Sequence, residues 1–110
     1  MQLLHITINS AIVTYNYYLM DIKERLNKLI EKKGIKPKEL EEKTGVDRMK
    51  WANLKRGTIR AQQEHIEAVV KLWPEYAYWI TTGLTIPEAG QISPEVEEVR
   101  DSLGLRTGTD

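Results

Sequence analysis

Glycine residues recur through the middle of the chain and limit the helices there to short lengths. Gly34, Gly45, Gly57 and Gly83 each follow a segment with helix-forming features. Glycine ends helices readily because, without a Cβ atom, it adopts a positive φ angle at no steric cost. The sequence of residues 21–83 therefore predicts a series of short helices, most of which end at or near a glycine.

Five helices are predicted in this region, with boundaries set by capping residues and proline. Asp21 is expected to cap the first helix, and Pro37 begins a second that runs to Thr44. Asp47 is expected to cap a third helix, which ends near Arg56. A fourth covers about residues 62–72, and a fifth, opened by proline 74, covers residues 75–82. The sequence thus predicts an all-α fold.

Apolar spacing identifies the inward faces of these helices. Ile22, Leu26, Leu29 and Ile30 recur at helical intervals in the first helix, so they should face a common core. Leu40, Val46 and Leu54 are expected to lock the second helix against the third. The spacing of the aromatic residues favours core packing over a base-stacking platform: Trp51, Trp73, Tyr76, Tyr78 and Trp79.

The composition argues against several classes of function. The 110 residues include no cysteine, so a disulfide scaffold, a thiol nucleophile and a cysteine-ligated metal site are excluded. Only two histidines occur, and we expect His65 on the surface rather than as a metal ligand. No serine lies beside a histidine, and no phosphate-binding loop precedes a helix. We therefore expect no catalytic site, no cofactor, no metal and no small-molecule substrate.

The formal net charge of zero conceals three different segments. Residues 1–20 carry no charged side chain, residues 21–83 carry 14 basic and 10 acidic residues, and residues 84–110 carry 2 basic and 6 acidic residues. The middle segment is therefore +4 and the last segment −4. Such asymmetry indicates a part that binds a polyanion beside a part that stays away from it.

The second helix, the Gly45 turn and the third helix have the spacing of a helix-turn-helix. The sequences PKELEEKTGVDRMKWANLKRG (37–57) and EHIEAVVKLWPEYAYWITTG (64–83) resemble the Cro/C1-type family of helix-turn-helix domains, the phage-repressor-like or Xre-type domains of small bacterial regulators. The resemblance covers residues 21–83. It implies a five-helix DNA-binding bundle whose third helix enters the major groove of an operator.

Two residues depart from the family pattern. Glu41 stands where the family usually has a small residue, so its carboxylate must turn outward or find a partner such as Lys38 or Arg48. Trp51 stands where the family usually has isoleucine or valine, and its indole is expected to fill the core. Either change is expected to alter the position of the third helix.

The resemblance assigns DNA contacts to the exposed face of helix 47–56. The predicted base-reading residues are Arg48, Met49, Ala52 and Asn53. Arginine can pair with guanine and asparagine with adenine, whereas alanine and methionine can touch a thymine methyl group. The predicted phosphate-binding residues are Lys38, Lys50, Lys55, Arg56 and Arg60.

The two ends of the chain leave alternatives open. Residues 1–20 form an uncharged arm, either with β character or lying upstream of a natural start at Met20. Residues 84–110 form an acidic tail in which Ser93 and Pro94 begin a short helix to about residue 103. That helix places Val96, Val99 and Leu103 on one side. The arm and this apolar side are two candidate surfaces for a homodimer.

The sequence therefore predicts a cytoplasmic, sequence-specific regulator of transcription, of phage or prophage type, that binds double-stranded DNA as a homodimer. The chain has no run of apolar residues long enough to span a membrane. The alternative is a non-catalytic protein-interaction module, such as an antitoxin-like partner or an adaptor built on the same bundle.

Overall fold

The computed structural model describes residues 20–104, which form six α-helices. The helices are α1 (Ile22–Lys33), α2 (Pro37–Thr44), α3 (Arg48–Arg56), α4 (Gln63–Leu72), α5 (Ala77–Thr82) and α6 (Pro94–Ser102). Two 3₁₀ turns, Pro74–Tyr76 and Pro87–Ala89, precede α5 and α6. The predicted all-α fold is confirmed, whereas the interpretations of residues 1–19 lie outside the described residues.

Most helix ends lie where the capping residues predicted them. The Asp21 carboxylate accepts the Glu24 backbone N–H at 2.8 Å and thereby caps α1. Gly34, at the end of this helix, has a φ of 68° and so lies in the left-handed region. The prediction for Asp47 was wrong in its chemistry: Asp47 occupies the N-cap position of α3, but its side chain makes no capping hydrogen bond.

The core lies between the helices α1 to α5. It is built from fully buried apolar side chains, among them Leu26, Leu29, Leu54, Trp79 and Ile80. Trp51 and Leu54, three residues apart on α3, both lie in this cluster. The predicted core position of the aromatic residues is confirmed for Trp51, Tyr76 and Trp79, which bury almost their entire surface.

A buried arginine ties α1 to α5. The Arg25 side chain is 6% exposed, and its Nε donates a hydrogen bond to the Ile80 carbonyl oxygen at 2.8 Å. Its Nη1 also donates to the Met20 carbonyl oxygen. Burial lowers the pKa of this guanidinium from its ordinary value. A polar residue thus completes the end of α5, where unpaired carbonyl groups need donors.

The segment after Gly83 packs onto the bundle. The Ile92 backbone N–H donates to the Glu75 carbonyl oxygen at 2.9 Å, and the Ile92 side chain is buried in the core cluster. Ser93 caps α6, as predicted, by accepting the Val96 backbone N–H at 3.2 Å. Lys28 and Lys32 of α1 form ion pairs with glutamates of α6. The tail acids within residues 95–98 therefore lie against basic side chains of α1.

The apolar side of α6 is only partly covered. Val96 packs against the core, whereas Val99 is 56% exposed and Leu103 is 65% exposed. Leu84 and Ile86, in the loop before α6, are also exposed. Among residues 20–104, no helix is long and apolar enough to cross a membrane.

We predict that Leu54→Ala and Trp79→Ala each lower the free energy of unfolding by about 2–5 kcal/mol. Both side chains are fully buried, so truncation removes apolar contacts and leaves a cavity. Chemical denaturation followed by circular dichroism measures the change. Met49→Ala is the matched control, because Met49 is half exposed and its truncation should change stability by less than about 0.5 kcal/mol. Equal stabilities for all three variants would contradict the assigned core.

Candidate nucleic-acid interface

A three-residue turn joins α2 to α3 and fixes the two helices relative to each other. Gly45 has a φ of 78°, and its N–H donates to the Glu41 carbonyl oxygen at 2.8 Å. The Thr44 hydroxyl donates to the Leu40 carbonyl oxygen at 2.6 Å and accepts the Val46 backbone N–H at 3.1 Å. The left-handed φ explains the glycine, because other residues adopt this conformation with strain. The turn is thus hydrogen-bonded on both sides of Gly45.

The outer face of α3 carries the predicted base-reading residues. Trp51 and Leu54 point into the core, so the remaining side of the helix faces outward. Arg48 and Met49 are exposed, and Ala52 and Asn53 are half-buried. The structure thus brings these four side chains together on the side of α3 that the core does not use.

Side chains from three other helices hold the backbone of α3. At its start, the Glu41 carboxylate of α2 accepts the Arg48 backbone N–H at 3.0 Å. In its middle, the Nε2 atom of His65 in α4 lies 3.1 Å from the Lys50 carbonyl oxygen. At its end, the Asn27 side-chain amide of α1 donates to the Leu54 carbonyl oxygen at 3.0 Å. The orientation of α3 is therefore fixed along its whole length.

Glu41 also binds the Arg48 side chain. The Arg48 Nε and Nη2 atoms donate to the same oxygen, Oε1, at 2.9 and 2.6 Å. The hydrogen bond from Arg48 lowers the pKa of the Glu41 carboxyl group, and the same contact raises the pKa of Arg48. The pair is partly exposed to solvent. Of the partners expected for the unusual Glu41 carboxylate, the structure thus selects Arg48.

The prediction that His65 lies on the surface was wrong. Its side chain is 0% exposed, and its Nδ1 atom accepts the Gln62 backbone N–H at 3.1 Å. The ring meets the Trp51 indole edge-on, with 5.0 Å between centroids. With Nδ1 accepting, Nε2 carries the proton that faces the Lys50 carbonyl oxygen. His65 is a structural link between the start of α4 and the middle of α3.

The predicted phosphate-binding residues are exposed but differ in their contacts. Lys50 pairs with Glu64, and Arg56 donates from Nη2 to the Asn53 side-chain oxygen at 2.6 Å. Within the described part of the chain, the three other cations form no ion pair: Lys38, Lys55 and Arg60. Their ammonium and guanidinium groups are therefore available to an anionic partner.

The sequence did not predict that Asn27 and His65 support the backbone of α3. A pattern for His65 exists, because Gln62 and His65 have the N-cap to N3 spacing of a capping box. Histidine is not the usual residue at N3, which hides the pattern. Asn27 offers no local pattern, since its partner Leu54 lies 27 residues away.

Comparison with solved structures gives a match to a phage protein. It is Pf6r from the filamentous phage Pf6 of Pseudomonas aeruginosa PA01, with 33% sequence identity and a TM-score of 0.67. The match covers 76% of this chain and 98% of Pf6r. No protein-family model and no curated protein sequence matches the chain. Since nearly the whole of Pf6r is matched at this identity, the chain belongs to the same family as Pf6r.

Proposed function

We propose that the protein is a sequence-specific regulator of transcription that binds double-stranded DNA and reads the major groove with α3. The proposal rests on one observation. Neighbouring helices hold α3 in place, and its outward face presents Arg48, Met49 and Asn53 to solvent. A rigid helix with exposed polar side chains is what major-groove readout requires, because base edges are read through hydrogen bonds at defined positions.

Each outward side chain has a base partner that its chemistry suits. Arg48 can donate to the O6 and N7 atoms of guanine, and Asn53 can pair with adenine. Ala52 and Met49 can contact a thymine methyl group. The Asn53 oxygen is bonded to Arg56, so its amide group is held in one orientation. Fixed orientation favours readout, because less side-chain freedom is lost on binding.

Basic residues around α3 supply the attraction to phosphate. Residues 48–60 contain five basic residues and no acidic one. The proposed phosphate contacts are Lys38 of α2, Lys50, Lys55 and Arg56 of α3, and Arg60, which follows α3. Glutamates of the tail pair instead with Lys28 and Lys32 of α1. The proposed phosphate contacts thus lie on and around α3, whereas the glutamates at positions 95, 97 and 98 lie against α1.

The match to Pf6r supports a phage or prophage origin for the proposed regulator. The α2–turn–α3 unit and the sequences of residues 37–57 and 64–83 support assignment to the Cro/C1-type helix-turn-helix domains. Binding an operator requires no catalytic residue, cofactor or metal, so we propose a non-catalytic protein. We also propose the cytoplasm as its location, where bacterial and phage DNA is transcribed.

We propose that the protein acts as a homodimer through α5 and the tail. One small module buries roughly 600–1,000 Å² on DNA, which rarely suffices for tight specific binding. Four of the five large exposed apolar residues between 20 and 104 lie in the tail segment: Leu84, Ile86, Val99 and Leu103. Burying them between two copies would remove apolar surface from water and leave both α3 helices available.

We predict that the protein binds duplex DNA with an affinity that falls steeply with salt. Neutralising several phosphates releases counterions, so the logarithm of the binding constant falls by roughly 0.9 per phosphate contact for each logarithmic unit of salt. Selection from a random duplex library, followed by gel shifts across a salt series, measures specificity and slope together. Absence of duplex binding at low salt would refute the proposal and favour a protein-interaction module.

We predict different effects for Arg48→Ala and Lys55→Ala. Loss of Arg48 should weaken binding to the selected site by about 1–3 kcal/mol and relax the preference at one base pair. Loss of Lys55, an exposed cation on the same helix, should weaken all duplexes alike and reduce the salt slope by about 1. Affinities for selected and scrambled duplexes provide the test. Equal losses on both duplexes for Arg48→Ala would make Arg48 a phosphate contact.

We predict that Val99→Lys combined with Leu103→Lys yields a monomer, because both exposed side chains would lie in the proposed interface. Sedimentation velocity measures the association state. Removal of residues 1–19 is the comparison, and it should leave dimerisation and operator binding largely intact. A tail variant that still dimerises, together with a monomeric protein lacking residues 1–19, would place the interface at the arm.

A further inference from the structure

We propose that Glu41 is a specificity-determining residue that positions Arg48 for guanine and away from phosphate. The inference rests on the proposed DNA-binding function and adds a role for an acidic residue that does not itself attract DNA. Its basis is the double contact of one carboxylate, which holds both the backbone N–H and the guanidinium of Arg48.

The hydrogen bonds leave a defined part of the guanidinium available. An arginine side chain has five N–H groups in a planar fork. The single N–H on Nε and one of the two on Nη2 face the Glu41 Oε1 atom. Neither proton of Nη1 has a partner within the described residues, and Nη2 has a second proton. The edge between Nη1 and Nη2 is thus free for a two-point contact with the O6 and N7 atoms of guanine.

The carboxylate limits the other use of Arg48. An arginine on a surface helix can also bind a backbone phosphate, which carries no sequence information. Beside Glu41 the local charge is balanced, and a phosphate approaching Arg48 also approaches a negative carboxylate. A base edge carries no net charge and meets less repulsion. The pair therefore favours base readout over phosphate binding.

The fixed orientation of the Arg48 side chain also favours base readout. The Glu41 Oε2 atom fixes the start of α3 through the Arg48 backbone N–H, while Oε1 fixes the end of the same side chain. The long arginine side chain is thus oriented before DNA arrives, so it loses less freedom on binding. The turn at Gly45 holds α2 and α3 together and keeps Glu41 beside Arg48.

The test compares Glu41→Ala with Glu42→Ala. Glu42 is an exposed glutamate on the same helix without a hydrogen bond to Arg48, so its variant controls for the removal of one negative charge. Affinities are measured for the library-selected duplex and for a duplex changed at the base pair that Arg48→Ala relaxes. Both variants should bind the changed duplex at least as tightly as the unaltered protein. Only Glu41→Ala should reduce discrimination between the duplexes, by on the order of tenfold.

A double variant separates positioning of Arg48 from simple capping of α3. In the Arg48→Ala background, Glu41→Ala should cause no further loss of affinity for the selected duplex, because the side chain it positions is already absent. Full discrimination by Glu41→Ala alone, or an increase, would overturn the proposal and make Glu41 a competitor of DNA. A similar loss of affinity for the selected duplex in both backgrounds would also overturn it and leave only a capping role. Failure of the unaltered protein to bind any duplex would instead refute the proposed function.

Discussion

The structure depends on how α3 is held, because a nine-residue helix is too short to be stable alone. Burial of Trp51 and Leu54 anchors one side of it in the core. Hydrogen bonds with the side chains of Glu41, His65 and Asn27 then fix its start, middle and end. These supports come from three different helices, so α3 keeps its position only when the whole bundle is formed. The outward face of α3 is rigid for the same reason.

One of the three hydrogen bonds to α3, the bond to the Arg48 backbone N–H, serves a group that the start of a helix leaves unpaired. The first N–H groups and last carbonyl groups of any helix lack partners within it. Asp47 occupies the position of a cap but makes no such bond, and Glu41 supplies the acceptor from the preceding helix. The Glu41 carboxylate therefore has two partners, the backbone and the side chain of Arg48. Its presence in the structure is explained by these bonds.

The packing of the tail against α1 also determines where the acidic side chains of α6 lie. The tail adds negative charge to a basic bundle. Two of its acidic side chains, Glu95 and Glu97, form ion pairs with Lys28 and Lys32 of α1. Surface ion pairs of this kind contribute little stability individually. They nevertheless direct the tail acids toward α1, while exposed cations remain on and around α3. A chain with no net charge can thus present a basic surface to a polyanion.

The sequence predicts the helices better than the contacts between them. Gly34, Gly45 and Pro37 act within a few residues of their own positions, so local rules place the ends of α1 and α2. The outward position of Arg48 and Met49 also follows from helical spacing. Burial of His65 and Arg25 depends on partners far along the chain: His65 bonds across 15 residues and Arg25 across 55. Such contacts form only when the fold closes, and the local capping pattern of Gln62 and His65 does not specify the partner on α3.

Mapping the DNA-binding surface by NMR tests most directly whether α3 reads DNA. Backbone amide shifts of ¹⁵N-labelled protein would be followed as a library-selected duplex is added. We expect the largest changes on α3 and at the start of α2, including the amides of Arg48, Met49 and Asn53, with small changes on α6. Large changes confined to α5 and α6, with α3 unaffected, would contradict the claim that α3 reads DNA.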